Sequence, residues 1–293
     1  MIFCTLPQIE QPNRILRRKT CNMKILLIIV SILAILLFFG WLGLKIKPKS
    51  FSAYPEMTPG LKTIPLPEGL PAPVERFYKT VYGDEIPVIE TVVIKGRAEI
   101  SPFGLKFPGR FLFVHNAGKD YRHYIEATWF GVPFMTVNES YVDGNSHFEL
   151  PVGTYDNDPS VTQGAVLGLW AESAWFPSIF LTDERVHWEP VDDKTALLFV
   201  PFGENEENFV VRFDPETGLI DMMEAMRCRD AGEQLHKILW ITKNISGKNI
   251  AGTNLSAVGT ATWLDQGKPW ATFTLEEVSY NVDVSEYIRQ KGP

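Results

Sequence analysis

Residues 160–177 read SVTQGAVLGLWAESAWFP. Ser160 and Gln163 have the spacing of a capping box. Val166, Leu167, Leu169, Trp170, Ala174, Trp175 and Phe176 then leave almost no polar side on a helix predicted over 161–176. A helix that is apolar all round must be buried on most of its circumference. Pro177 kinks or ends it, and SIFL (178–181) carries the chain onward. The rest of the chain therefore has to wrap around this segment.

What flanks it is β-forming. VIETVVIKGRAEI (88–100), RFLFVHN (110–116) and YRHYIEATWF (121–130) are rich in β-branched and aromatic residues. Asp143-Gly144 marks a hairpin turn within 134–153. After the helix, turns fall at Asp192-Asp193, at DPETG (214–218) and at DQGK (265–268). PVERFYKTVYG (73–83) reads as a short helix, with Pro73 in its first turn and Gly83 past its end. About ten strands joined mostly by hairpins predict a mainly β fold. The expected form is a single curved antiparallel sheet, a half-barrel meander wrapped on the buried helix, over residues 73–293.

The first residues are a different material. ILLIIVSILAILLFFGWLGL (25–44) contains no charge. At about 1.5 Å per residue it spans roughly a 30 Å bilayer core. No small-x-small cleavage site follows, and LKIKPKS puts three lysines directly after the run. The expectation is a basic tail (1–24), an uncleaved transmembrane helix (25–44) and a proline-rich spacer (45–72). Arg14, Arg17, Arg18, Lys19 and Lys24 precede the helix, which favours a single-pass chain in the cell membrane with its large C-terminal domain outside the cytoplasm. If Met23 starts the chain, only Lys24 and the amino terminus remain on the near side.

Residues 51–293 hold 20 basic and 34 acidic side chains, a net of −14. Such a domain repels a phosphate backbone, so no nucleic acid is expected as a partner. Neither GxxxxGK[ST] nor GxGxxG occurs, so no nucleotide is expected either. Cys228 stands alone in the domain, beyond Cys4 and Cys21 ahead of the apolar run, so no disulfide forms within it.

Four segments carry a family resemblance: LPAPVERFYKTV (70–81), AESAWFP (171–177), Trp188 with DDKTA (192–196), and RFDPETGLI (212–220). They resemble, in order and spacing, a bacterial family of unknown function whose members read LPxPVxRY, AExxWFP, W-x-x-x-D-D and a strand ending in a TG turn. The likeness spans approximately residues 65–285, with Phe77 where the first motif usually has tyrosine. The resemblance implies an N-terminal membrane segment and no assigned activity. The meander on a helix is also similar to the lipoprotein-carrier half-barrel of the Lol proteins, an analogy of fold that brings no functional residues with it.

Glu172 sits beside Trp175 and Phe176, where desolvation would raise its pKa and suit acid or base chemistry. The alternative is a structural acid, on the solvent side of the helix or bonded to a strand residue such as Arg185 or Arg212. The histidines (115, 123, 147, 187 and 236) show no HExxH or HxH spacing. His115 and His123 approach each other across NAGKD (116–120), but strict alternation does not oblige them to share a face, and a third ligand must come from elsewhere. No metal and no cofactor is therefore expected, and no GxSxG elbow supplies a nucleophile.

Eight tryptophans and nineteen phenylalanines are a heavy aromatic load. Most fill a core, and an incompletely closed sheet would leave an apolar cavity against the helix. The leading expectation is a membrane-anchored envelope protein, not an enzyme, that holds a lipid-like or lipoprotein ligand. Trp170, Trp175, Phe176 and Trp188 are the expected contacts. The alternatives are a hydrolase pairing Glu172 with a second carboxylate such as Asp192, and an acidic envelope scaffold.

Overall fold

The computed structural model describes residues 12–55, 60–231, 236–245, 249–250 and 252–293. Its first helix, α1 (Pro12–Gly43), belongs to a unit separate from Ile46–Pro293. Over Met23–Gly43 it is strongly apolar and almost wholly exposed, so by length and composition it is able to cross a membrane.

In the second unit a small pair, β1 (Thr63–Pro65) and β2 (Glu85–Pro87), flanks α2 (Ala72–Val81). Six strands follow as consecutive hairpins: β3 (Thr91–Ile100), β4 (Phe107–Asn116), β5 (Asp120–Trp129), β6 (Val132–Val142), β7 (Asn145–Leu150) and β8 (Gly153–Asp156). Next come α3 (Pro159–Glu172) and α4 (Ile179–Thr182). A second run of hairpins comprises β9 (His187–Asp192), β10 (Thr195–Phe202), β11 (Asn205–Phe213), β12 (Ile220–Cys228), β13 (Lys237–Asn244), β14 (Val258–Trp263) and β15 (Pro269–Tyr280).

Among the described residues these runs form one antiparallel sheet of thirteen strands, ordered β8-β7-β6-β5-β4-β3-β15-β14-β13-β12-β11-β10-β9. The first and last strands of this sheet, β3 and β15, therefore meet in its middle, with Ile94 opposite Val278. β8 and β9 lie at opposite edges, so the chain between them has to travel from one edge to the other. That path is α3 and α4, laid across one face of the curled sheet. This explains the helix's composition: Ala165, Val166, Leu167, Leu169 and Trp170 are all buried.

Curling demands close strand approaches. A Cβ on Gly96 would sit 2.0 Å from the Thr274 carbonyl oxygen, where the β3–β15 register slips between Leu275 and Glu277. Only glycine fits such a bulge.

The helix begins and ends differently from the capping-box reading. Asp158 is the N-cap, accepting from the Ser160 and Val161 amides at 2.9 and 3.1 Å, with Pro159 in the first turn. Gln163 instead serves the sheet. Its amide donates to the Met226 carbonyl at 2.9 Å and its oxygen accepts from the Cys228 amide at 2.9 Å. The α-helix also stops at Glu172, passing through a tight turn (Ser173–Trp175) before Pro177. The residues SIFL are mostly the short α4. On α2 the Tyr78 hydroxyl donates to the Pro177 carbonyl at 2.7 Å, fixing the point where the chain turns.

The opposite face of β3–β5 carries a second apolar cluster of Val93, Leu112, Val114 and Tyr124. Val282, Val284 and Ile288 pack against them, with Phe51 and Tyr54 alongside. Part of the proline-rich segment is thus stitched to the sheet. Ser50 donates to Glu276 at 2.8 Å, and Lys95 donates to the Ser52 carbonyl while lying 2.8 Å from Glu277.

Candidate functional site

The site starts from a hairpin register. Asn116 pairs with Asp120 and Phe113 with His123 across the β4–β5 turn. His115 and His123 consequently emerge on the same face, one row apart, with ring centroids 5.7 Å from each other. The turn is held down from outside. Asp183 accepts from the Arg185 guanidinium at 2.9 and 2.5 Å, and Arg185 also donates to the Gly118 carbonyl at 2.8 Å.

The helix delivers the third group. Ser160, Gly164, Gly168 and Glu172 recur every four residues and so form one stripe of α3. All four line a cavity of about 450 Å³ between helix and sheet. At its floor Glu172 Oε2 lies 2.6 Å from His123 Nε2 and 3.1 Å from His115 Nε2. His123 Nδ1 lies 3.5 Å from Glu139 Oε2. One histidine is therefore held between two carboxylates, and one carboxylate is shared by two histidines.

The electrostatics follow from that sharing. Burial alone would push Glu172 up, but His123 and His115 outweigh it and hold the carboxyl below its usual value. Burial would lower His123, yet Glu172 and Glu139 reverse this and raise it. For His115 burial prevails over the pull of Glu172, so its pKa falls. This ring is fully buried, and neither of its nitrogens has a hydrogen-bond partner. Arg227 faces the same group; its guanidinium donates to the Gly164 carbonyl at 3.0 Å and lies over Trp240 at 4.2 Å.

The cavity walls are aromatic and aliphatic, with Phe113, Ile125, Phe148, Trp240, Trp263 and Phe273 among them. Its rim includes the exposed Val152, Arg229 and Asp230. The space is thus greasy along its sides and ionisable at its floor, an arrangement common to ligand pockets.

The residues expected from sequence are distributed unevenly around it. Glu172 is at the floor, but its partners are His115 and His123. Arg185 is bound to Asp183 and Arg212 to Glu224, so neither takes the role expected of it. Asp192 caps the β9–β10 turn through the Lys194 amide at 2.8 Å, and the second carboxylate near Glu172 is Glu139. Trp170 is buried against Phe180, and Phe176 packs on His115 with ring centroids 5.2 Å apart. Trp188 packs on Phe180 and Phe213. Trp175 stacks on Phe111 and borders a separate space of about 60 Å³. None of the four lines the larger cavity, whose tryptophans are Trp240, Trp263 and Trp270. The signal for the site was the small-residue stripe in phase with Glu172. The expectation that no metal is bound rested on absent motif spacing, on the two histidines not needing to share a face and on a distant third ligand. The register puts the histidines on one face, and α3 brings Glu172 to them.

A long antiparallel half-barrel closed over a crossing helix, with an ionisable group at the base of an apolar cavity, defines the class of this domain. The chain belongs to DUF6544, a family of unknown function whose pattern matches residues 61–275. No curated protein matches. Among solved structures it is similar to a LolA superfamily protein from Nitrosomonas europaea, at 10% identity and a TM-score of 0.45, covering 76% of this chain and 99% of that one. A DUF1329 family protein from Desulfovibrio piger is similar at 11% identity and a TM-score of 0.41, covering 70% and 91%.

Proposed function

We propose that this protein is a membrane-anchored binding protein of the bacterial cell envelope that takes an apolar, lipid-like ligand into the cavity between helix and sheet. The observation that carries the reading is a cavity of about 450 Å³ walled by Phe113, Phe148, Trp240, Trp263 and Phe273. The pocket opens at its rim, and its apolar walls gain by covering an apolar occupant in place of water, which supports such a ligand. The aromatic walls suit an acyl or other apolar body, and Arg227 with His123 suits its polar end. The apolar run Met23–Gly43 supports the anchor. The basic residues before it support a domain outside the cytoplasm.

Displacement of a fluorescent fatty acid from residues 46–293, with solvent extraction of the purified protein, tests the binding. Saturable uptake that Trp240→Ala weakens is expected. Absence of both extracted lipid and probe uptake would sink the reading. A reporter fused after Pro293 tests the orientation, and activity confined to the cytoplasm would reverse it.

A further inference from the structure

We propose that His115, His123 and Glu172 bind one divalent transition-metal ion, zinc foremost, at the floor of the cavity. Their ligating atoms all lie within 4.8 Å of one another. Three donors about 2.0–2.2 Å from one tetrahedral ion lie roughly 3.4 Å from one another, so loading needs side-chain shifts on the order of 1 Å. Two imidazoles and a carboxylate are also a zinc-type donor set that leaves a position open.

The hydrogen-bond geometry points the same way. Glu172 Oε2 is 2.6 Å from His123 Nε2 and 3.1 Å from His115 Nε2, yet none of these three atoms makes an aligned hydrogen bond. The three donors are thus close together without being satisfied by one another in geometry. Nε2 of the fully buried His115 is without a hydrogen-bond partner, a cost that a coordinated ion would remove at that atom. His123 meets Glu139 through Nδ1 and so presents Nε2, the carboxylate–histidine pairing that orients metal ligands elsewhere. His123 and Glu172 line the cavity while His115 lies behind them, so the ion's open position faces the space above. This site stands whether or not an apolar ligand fills the cavity.

The test uses the full chain in mild detergent, stripped with a chelator and titrated with Zn²⁺ and with Co²⁺. Binding of about one equivalent per chain is expected, lost in His123→Ala and Glu172→Gln and kept in His147→Ala. Glu139→Gln should keep the stoichiometry and weaken affinity about 10- to 100-fold. X-ray absorption at the zinc edge of the unmodified chain is independent of any folding defect in a variant. It should show imidazole scattering and an all-nitrogen-and-oxygen first shell. A folded wild-type chain that takes up neither metal, variants that bind as wild type does, or a sulfur-containing first shell would each overturn the site.

Discussion

Gly168 lies on the stripe of α3 that faces the cavity, and its substitution separates open space from close packing. Glycine inside a helix costs about 0.5–1 kcal/mol relative to alanine, so it is kept where something else requires it. A Cβ at Gly168 would meet only the Arg227 guanidinium at 3.7 Å, an ordinary contact. Gly168→Ala should therefore stabilise the domain by about 0.5–1 kcal/mol, which for a domain of this size raises Tm by roughly 1–4 °C. Gly164→Ala should gain less, because its Cβ would stand 3.4 Å from both Arg227 Nε and the Cys228 carbonyl. Gly168→Leu projects a branched side chain into the cavity. It should weaken uptake of a fluorescent fatty acid about tenfold or more, a loss of ~1.4 kcal/mol or greater. The assays are denaturant and thermal melts of residues 46–293 beside the displacement titration. If Gly168→Ala destabilises the domain by more than about 1 kcal/mol, the stripe serves close packing and the cavity reasoning fails.

Other outcomes follow from particular contacts. Gly118 has φ +69°, and an added Cβ would lie 2.7 Å from Asp183 Oδ2 and 3.0 Å from the Trp170 ring; Gly118→Ala should cost about 1–3 kcal/mol, measured by urea melts. Asp158→Ala removes the cap of α3 and should cost about 0.5–2 kcal/mol, whereas a true capping box would have placed that loss at Ser160. Burial alone would raise the Asp183 carboxyl, but Arg185 holds it below its ordinary value. Because the folded state binds this proton less readily, the stabilisation is full above the unfolded pKa of about 3.9 and fades as pH falls through the lower folded value. Asp183→Asn should flatten that acid limb of a stability–pH curve, and an unchanged limb would contradict the pairing.

Much of the fold was legible because turns announce themselves locally. Asp143-Gly144, Asp192-Asp193, DPETG and DQGK each close a hairpin near its expected place. The sheet's order was not legible, since the pairing of β3 with β15 joins strands that no local pattern connects. Strand β8 was missed because its residues GTYD hold no alternation to read. In the site, Glu172 was singled out but its partners were not. Whether His115 and His123 share a face depends on the register with which Asn116 meets Asp120, a property of the turn and its anchor at Arg185. The tryptophans near Glu172 in sequence proved to be core, because the residues four and eight positions before it, not its neighbours, share its side of the helix.

Native mass spectrometry of residues 46–293, recorded before and after denaturation, is the most direct test that the domain is built around an occupied cavity. A discrete organic mass carried by the folded domain, released on denaturation and diminished in Gly168→Leu, is the predicted result. A folded domain with the bare polypeptide mass, unchanged after incubation with a fatty acid, would contradict the account.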